Sequence, residues 1–270
     1  MKKNVSKAVF TALMILCATS MMAQESDMDD RKFRFGLHAS PNLGWLRPNI
    51  QEFEKSGLQS RLGFGYGLVM DLKFSESPNY LFSTGINLTN SGGGLIEAYD
   101  SINIVAENDP SSPGPLFGKR DRTYRVQYVN IPLLLKMRTN EIGYMSYFAA
   151  VGVDLGVRTR AFANDEFDWT DPNKEVTTVK DVNIQDEMQL FRLGLNLTGG
   201  GEFNLSGNTN LYVGISYHNH FTNMFRKTQE NRILEPDGDG NPVIVDGKGV
   251  LGKQKKAVSN YVGLNVGIYF

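Results

Sequence analysis

The chain has 270 residues with 28 Lys and Arg against 29 Asp and Glu, a formal charge of −1. That balance argues against nucleic acid as a partner, which would call for a clustered basic face. Its single cysteine, Cys17, leaves no scope for a disulfide framework.

The first residues read as an address. Lys2, Lys3 and Lys7 form a positive stretch, and Ala8 to Ala18 an apolar run of signal-peptide length. Cleavage after Ala23 would make Gln24 the new N-terminus, remove Cys17 and shift the formal charge from −1 to −4, because three Lys and no acids leave with it. Leu16 directly before Cys17 is wrong for a lipoprotein site. Residues 24–32, with Glu25, Asp27, Asp29 and Asp30, are expected to form a loose periplasmic tail.

Beyond this leader no run of eighteen apolar residues occurs, so no transmembrane helix is expected. A membrane β-barrel, however, hides its apolar residues at every second position. Eight segments read as strands, at about 33–46, 60–75, 79–91, 123–138, 142–159, 187–205, 209–225 and 256–270. The first sets Phe33, Phe35, Leu37, Leu43 and Trp45 against Arg34, Gly36, His38, Ser40, Asn42 and Gly44. The second sets Leu62, Phe64, Tyr66, Leu68, Met70 and Leu72 against Arg61, Gly63, Gly65, Gly67, Asp71 and Lys73.

In the fourth, Val129, Ile131, Leu133, Leu135 and Met137 share a face, but Tyr124, Val126 and Tyr128 occupy the opposite parity. With Pro132 unable to donate to a ladder, this predicts a bulge nearby. The fifth places Tyr147, Val151, Val153, Leu155 and Val157 opposite Ser146, Gly152, Asp154, Gly156 and Arg158. The sixth places Leu193, Leu195, Leu197 and Phe203 opposite Arg192, Asn196 and Glu202, and the seventh Leu211, Val213, Ile215 and Tyr217 opposite Ser216, His218 and His220. The last alternates Val258, Val262, Leu264, Val266, Ile268 and Phe270 with Ser259, Tyr261, Gly263, Asn265, Gly267 and Tyr269. Asn260 is the one exception.

Each strand thus has one oily face and one small or polar face. A soluble sandwich also alternates, but here the connections are sorted. Ser75–Asn79, Thr139–Glu141 and Ser206–Asn208 are short, whereas 47–59, 92–122, 160–186 and 226–255 are long and polar. Short turns at one rim and long loops at the other predict an all-β, eight-stranded antiparallel transmembrane up-and-down barrel over 33–270, with short periplasmic turns and four long extracellular loops.

Several stretches resemble the PorT-type outer-membrane β-barrel family of Bacteroidetes: Leu62-Gly-Phe-Gly-Tyr-Gly-Leu-Val-Met-Asp71, Phe82-Ser-Thr-Gly-Ile86, Tyr128-Val-Asn-Ile-Pro-Leu-Leu-Leu-Lys136 and Ala150-Val-Gly-Val153. The resemblance spans roughly 33–270 and leaves out the long loops. It implies an outer-membrane location with the barrel as the whole domain; the founding member is associated with type IX secretion. The terminal Tyr269-Phe270 resembles the aromatic-ended signal read by the barrel assembly machinery.

An eight-stranded interior is just wide enough for side chains. Asp71, Lys73, Lys136, Arg138, Asp154, Arg158, Arg192 and Glu202 fall on inward parities and should pair across strands into a structural network that plugs the lumen. Ser216, His218 and His220 share a face and, with Glu202, contain the residue types of a hydrolase. The descending sixth strand, however, carries Glu202 away from His218. Asp237-Gly-Asp-Gly-Asn241 departs from a calcium loop at Pro242 and Lys248 and reads as a hairpin tip. Pro110–Pro115 is a loop breaker, and Gly199–Gly201 relieves crowding in the lumen.

No cofactor or metal is implied. The expectation is a non-enzymatic barrel presenting its loops for binding or for a surface or secretion assembly, with Phe167, Trp169, Phe225 and Arg226 as contact residues. Outer-membrane lipid, the barrel assembly machinery and protein partners of such an assembly are the expected partners. An outer-membrane lipid hydrolase and a narrow porin are the alternatives.

Overall fold

The computed structural model describes residues 32–49, 53–54, 60–73, 79–102, 116–169, 175–229, 231–235, 243–245 and 248–270. The expected leader, the acidic tail, most of the Ser75–Asn79 turn, the Pro110–Pro115 run and the Asp237–Asn241 tip lie outside them.

Eight long strands form the wall: β1 (Phe33–Pro48), β2 (Arg61–Lys73), β3 (Tyr80–Ile102), β4 (Leu116–Arg138), β5 (Met145–Trp169), β6 (Phe191–Ser206), β7 (Thr209–His220) and β8 (Ala257–Tyr269). Each pairs antiparallel with its neighbours in sequence, and β8 pairs with β1 to close the barrel.

The stagger can be followed through one ring of partners. Phe33 pairs with Leu72, Leu72 with Phe82, Phe82 with Leu135, and Leu135 with Val151. Val151 pairs with Leu197, Leu197 with Tyr217, Tyr217 with Val262, and Val262 with Leu43. One circuit re-enters β1 ten residues along, from 33 to 43, and this offset tilts the strands against the barrel axis. Every member of the ring is apolar, and those of β1, β4, β5, β6 and β8 are exposed. Burying their faces is left to hydrocarbon.

Two prolines sit in the wall without shifting its register. The β3–β4 ladder passes over Gly85 and Ile86, opposite Pro132 and Ile131, then resumes in the same register. The β1–β8 ladder likewise passes over Ser40 and Pro41. The bulge expected near Pro132 is instead on β5. Gln127 faces Arg160 while Tyr128 faces Arg158, leaving Thr159 as the extra residue. Tyr124, Val126 and Tyr128 need no bulge on β4, because they face inward like Asn130, Pro132, Leu134 and Lys136.

The long connections also differ from expectation. Residues 92–102, 116–122 and 160–169, read as loop, continue β3, β4 and β5 beyond the apolar belt. The charges that made them look like loop sit in a regular ladder, where Arg122 faces its ion-pair partner Asp165 while Asp121 faces Glu166. A further strand, Thr177–Asn183, folds back on β5, and Phe53–Glu54 adds to β3.

Two expected strands are shorter. β6 begins only at Phe191, and β7 ends at His220. The chain before β6 and after β7 leaves the wall, and Met188 and Phe225 bridge to one another. At the opposite rim the turns are tight, with Gly143 (φ 69°) and Gly207 (φ 52°) in the left-handed region that favours glycine. On the extracellular side the Val243 N–H donates to the Glu235 carbonyl at 2.9 Å, as in the neck of a hairpin.

Candidate functional site: a plugged lumen beneath an extracellular sheet

The inward parity of the wall brings polar side chains into three layers. At the periplasmic end, Arg34 donates to Asp71 at 2.8 Å and to Glu202 at 2.9 Å. Lys136 donates to the same two carboxylates at 2.8 and 2.6 Å, and to the Tyr269 hydroxyl at 3.1 Å. Each acid therefore holds two cations, and Arg138 approaches Glu202 at 3.5 Å. Five strands contribute to this floor. Asp71, Lys136 and Glu202 are fully buried, so only reciprocal pairing offsets their lost hydration. The Tyr269 and Phe148 rings present their faces to the cations at 4.5–4.7 Å.

Above the floor lies a chamber of about 90 Å³, lined among others by His38, Ser40, Asn87, Thr198, Ser216 and His218. It is well under the roughly 300 Å³ at which small-molecule pockets begin. His218 Nδ1 donates to Asp154, which also accepts from Asn196 at 3.0 Å, and its ring stacks on Tyr261 at 4.0 Å. The acid beside His218 is thus Asp154; Glu202 belongs to the floor. Ser216 donates to the Gly263 carbonyl, at 3.5 Å, and faces the interior. A lipid hydrolase would need its nucleophile to reach lipid, and this serine is turned away from it.

The third layer centres on Arg192, which donates to Asn130 at 2.9 Å and Ser91 at 3.3 Å and lies 3.8 Å over the Tyr128 ring. Beyond it the mouth is closed by apolar packing of Tyr124, Val126, Tyr128, Met188 and Phe225. Tyr124 and Phe225 meet edge to face at 5.6 Å. Asn231 holds this plug in place by donating to the Glu187 and Arg226 carbonyls at 2.6 and 2.9 Å. Asn223 holds it from the other side through the Phe225 and Lys255 carbonyls. Outside the plug, Arg122 forks onto Asp165 at 2.6 and 2.7 Å and reaches Glu187 at 2.8 Å.

Of the expected lumen residues, Asp71, Lys136, Glu202 and Arg138 meet in the floor, while Asp154 and Arg192 anchor separate layers. Lys73 lies half-buried at the end of β2. Arg158 bonds not to an acid but to the Gln189 carbonyl, at 3.3 Å. Arg34 also belongs to the floor and was not among the expected residues, although its place on the polar face of the first strand was visible. Of the Gly199–Gly201 run only Gly200 faces inward, where a Cβ would lie 2.5 Å from the Cα of Gly214.

Three of the four expected loop contacts are corrected. Phe167 and Trp169 are buried on the inner face of β5, stacked on one another with the Trp169 ring N–H donating to Thr177, and Phe225 is wholly buried in the plug against Tyr124. Arg226 alone is exposed.

A closed eight-stranded wall with an apolar exterior, a charge-paired interior, short turns at one rim and extended strands at the other defines an outer-membrane β-barrel. Residues 22–185 match the family model described as outer membrane protein beta-barrel domain, and the chain belongs to that family. It resides in the outer membrane.

Similar solved structures include Neisserial surface protein A, at 10% identity over 88% of this chain and 96% of that one, with a TM-score of 0.39. A major outer membrane protein from Thermus thermophilus is similar at 14% identity over 89% of this chain and 99% of that one, with a TM-score of 0.38. The attachment invasion locus protein Ail of Yersinia pestis is similar at 10% identity over 88% and 97%, with a TM-score of 0.31. No curated protein matches the chain.

Proposed function

We propose that this is a non-enzymatic, non-conducting barrel whose task is performed outside the membrane, by the sheet that β3, β4 and β5 carry beyond the lipid belt. The observation that supports this reading is the continued pairing of β4 with β5 from Val126 and Ala161 out to Gly118 and Trp169. A barrel that only spanned the membrane would have no use for ordered strands there. Loops ordinarily run over a surface and tolerate change, whereas a paired sheet presents a fixed one. The floor and the plug fit the same reading, since both ends of the lumen are filled by side chains that interlock rather than leave a path.

The partner is a protein of a surface or secretion assembly. The resemblance to PorT-type barrels favours type IX secretion as its setting. Two experiments test this. Replacing residues 97–119 by a two-residue turn keeps the membrane part of the barrel. Affinity purification from native outer membrane should then enrich a protein partner with the full-length barrel and lose it with the trimmed one. A partner retained by the trimmed barrel, or none with either, rules the reading out. Loss of secreted enzymes in a deletion strain would place the assembly in secretion, and unchanged export would place it elsewhere on the surface.

A further inference from the structure

The outward face changes character abruptly where the apolar belt meets the extracellular side. Arg47 follows Trp45 on β1, and Lys256 precedes Val258 at the start of β8. These two strands are adjacent, with Arg47 opposite Val258 and the Asn49 N–H donating to the Lys256 carbonyl. On the far wall Arg160 follows Val157 with only the bulged Thr159 and Arg158 between them. Arg125 is its diagonal neighbour, since Gln127 faces Arg160 and Arg125 faces Phe162. Alternation fixes the direction of all four. Tyr124, Val126 and Ala161 point inward and are buried, so Arg125 and Arg160 point out.

Arg47, Arg160 and Lys256 are exposed, and no acidic group among the described residues pairs with them; Arg125 bonds to Asp181 of the folded-back strand. Both notches are continuous with the lipid-facing belt. The periplasmic margin differs: its outward residues among those described include Phe33, Tyr80, Tyr147 and Phe270, which are aromatic and uncharged.

We infer that the extracellular margin carries two cationic notches that bind the phosphate groups of outer-leaflet lipid: Arg47–Lys256, and Arg160 beside the Arg125–Asp181 pair, where Arg160 supplies the net charge. A guanidinium or ammonium just above the hydrocarbon boundary is at the depth of a lipid headgroup, where each basic residue attracts anionic lipid. Arginine can also hold a phosphate oxygen pair with two parallel hydrogen bonds. The Trp45–Tyr217 ring pair, stacked at 6.3 Å immediately below the first notch, suits the same interface. Because the notches sit on the wall and not on the extended sheet, the inference does not depend on the proposed function.

The test uses the detergent-solubilised full barrel and native mass spectrometry. It is titrated with bis-phosphorylated lipid A, with lipid A stripped of phosphate, and with inorganic phosphate as competitor. The wild type should retain up to two phosphorylated molecules and bind the stripped lipid at least tenfold more weakly. Arg47→Gln with Lys256→Gln should leave one molecule, and adding Arg160→Gln should weaken the second site by about fivefold, the effect expected of one interfacial cation. A charge-conserving variant, Arg47→Lys with Arg160→Lys, should keep both and so distinguishes lost charge from lost folding. Equal retention of the stripped lipid, displacement by millimolar inorganic phosphate, or unchanged retention by the triple Gln variant would each overturn the inference.

Discussion

Replacing Lys136 by Met removes the cation shared by Asp71 and Glu202 while keeping the length of the side chain. Lys136 is 2% exposed and makes hydrogen bonds of 2.8, 2.6 and 3.1 Å to Asp71, Glu202 and Tyr269. Without it two buried carboxylates share Arg34, with the part-exposed Arg138 helping only Glu202 at 3.5 Å. Breaking a buried pair from one side costs about 3–5 kcal/mol, chiefly because the abandoned charge stays buried. Retention of Arg34 puts Lys136→Met near the lower end, at about 3 kcal/mol.

Adding Glu202→Gln removes the surplus negative charge and leaves Arg34 paired with Asp71, so the double variant should recover at least half of the loss. Urea unfolding in detergent micelles, followed by tryptophan fluorescence and by the mobility shift of folded barrels on gels, measures both variants and Glu202→Gln alone. A Lys136→Met loss below about 1 kcal/mol, in the range of an exposed pair, would refute the reasoning. So would a double variant weaker than Lys136→Met, since a coupled pair must show a favourable cycle term.

Three further outcomes are expected. Gly267→Ala places a Cβ 2.3 Å from the Tyr212 ring and 2.4 Å from the Leu37 carbonyl, and should destabilise the barrel by about 1–3 kcal/mol in the same urea assay, with a smaller effect when introduced in a Tyr212→Ala background. Asn260→Leu should destabilise by about 1–3 kcal/mol although it makes the outward face more apolar, because Asn260 Oδ1 accepts the His220 N–H at 3.1 Å and that donor would be left unpaired; faster amide exchange at His220 checks the cause. Planar-bilayer recording of the wild type should show no steady conductance, and a stable open level would contradict an interior closed by the floor and the plug.

The closed barrel was legible in the sequence because a period of two runs through most strands, broken on β5 by the bulge at Thr159, and one oily face cannot remain in water. The last strand shows it most plainly, from Val262 to Phe270. Even its single exception, Asn260, followed a rule that one strand cannot reveal: the side chain completes a ladder at the point where β7 ends and the His220 N–H would be orphaned. Asp71, Lys136 and Glu202 were legible as inward charges, but their union with Arg34 was not. Arg34 and Asp71 are ladder partners on adjacent strands, whereas Arg34 and Glu202, 168 positions apart, meet across the lumen only because closure and register bring them to one level.

The extracellular part escaped the sequence for a related reason. Charges at 120–122 and 165–168 look like loop one segment at a time, and only the ladder between the two segments, with Arg122 opposite Asp165, shows them to be strand. Phe167, Trp169 and Phe225 likewise seemed free aromatics until the extended strands and the inturned chain gave them an inner surface to cover. Sequence alone settled the wall, because the alternation of apolar and polar side chains is local to each strand. What fills the wall and what rises above it were decided by tertiary structure, because ion pairing and plug packing depend on register between strands that no single segment encodes.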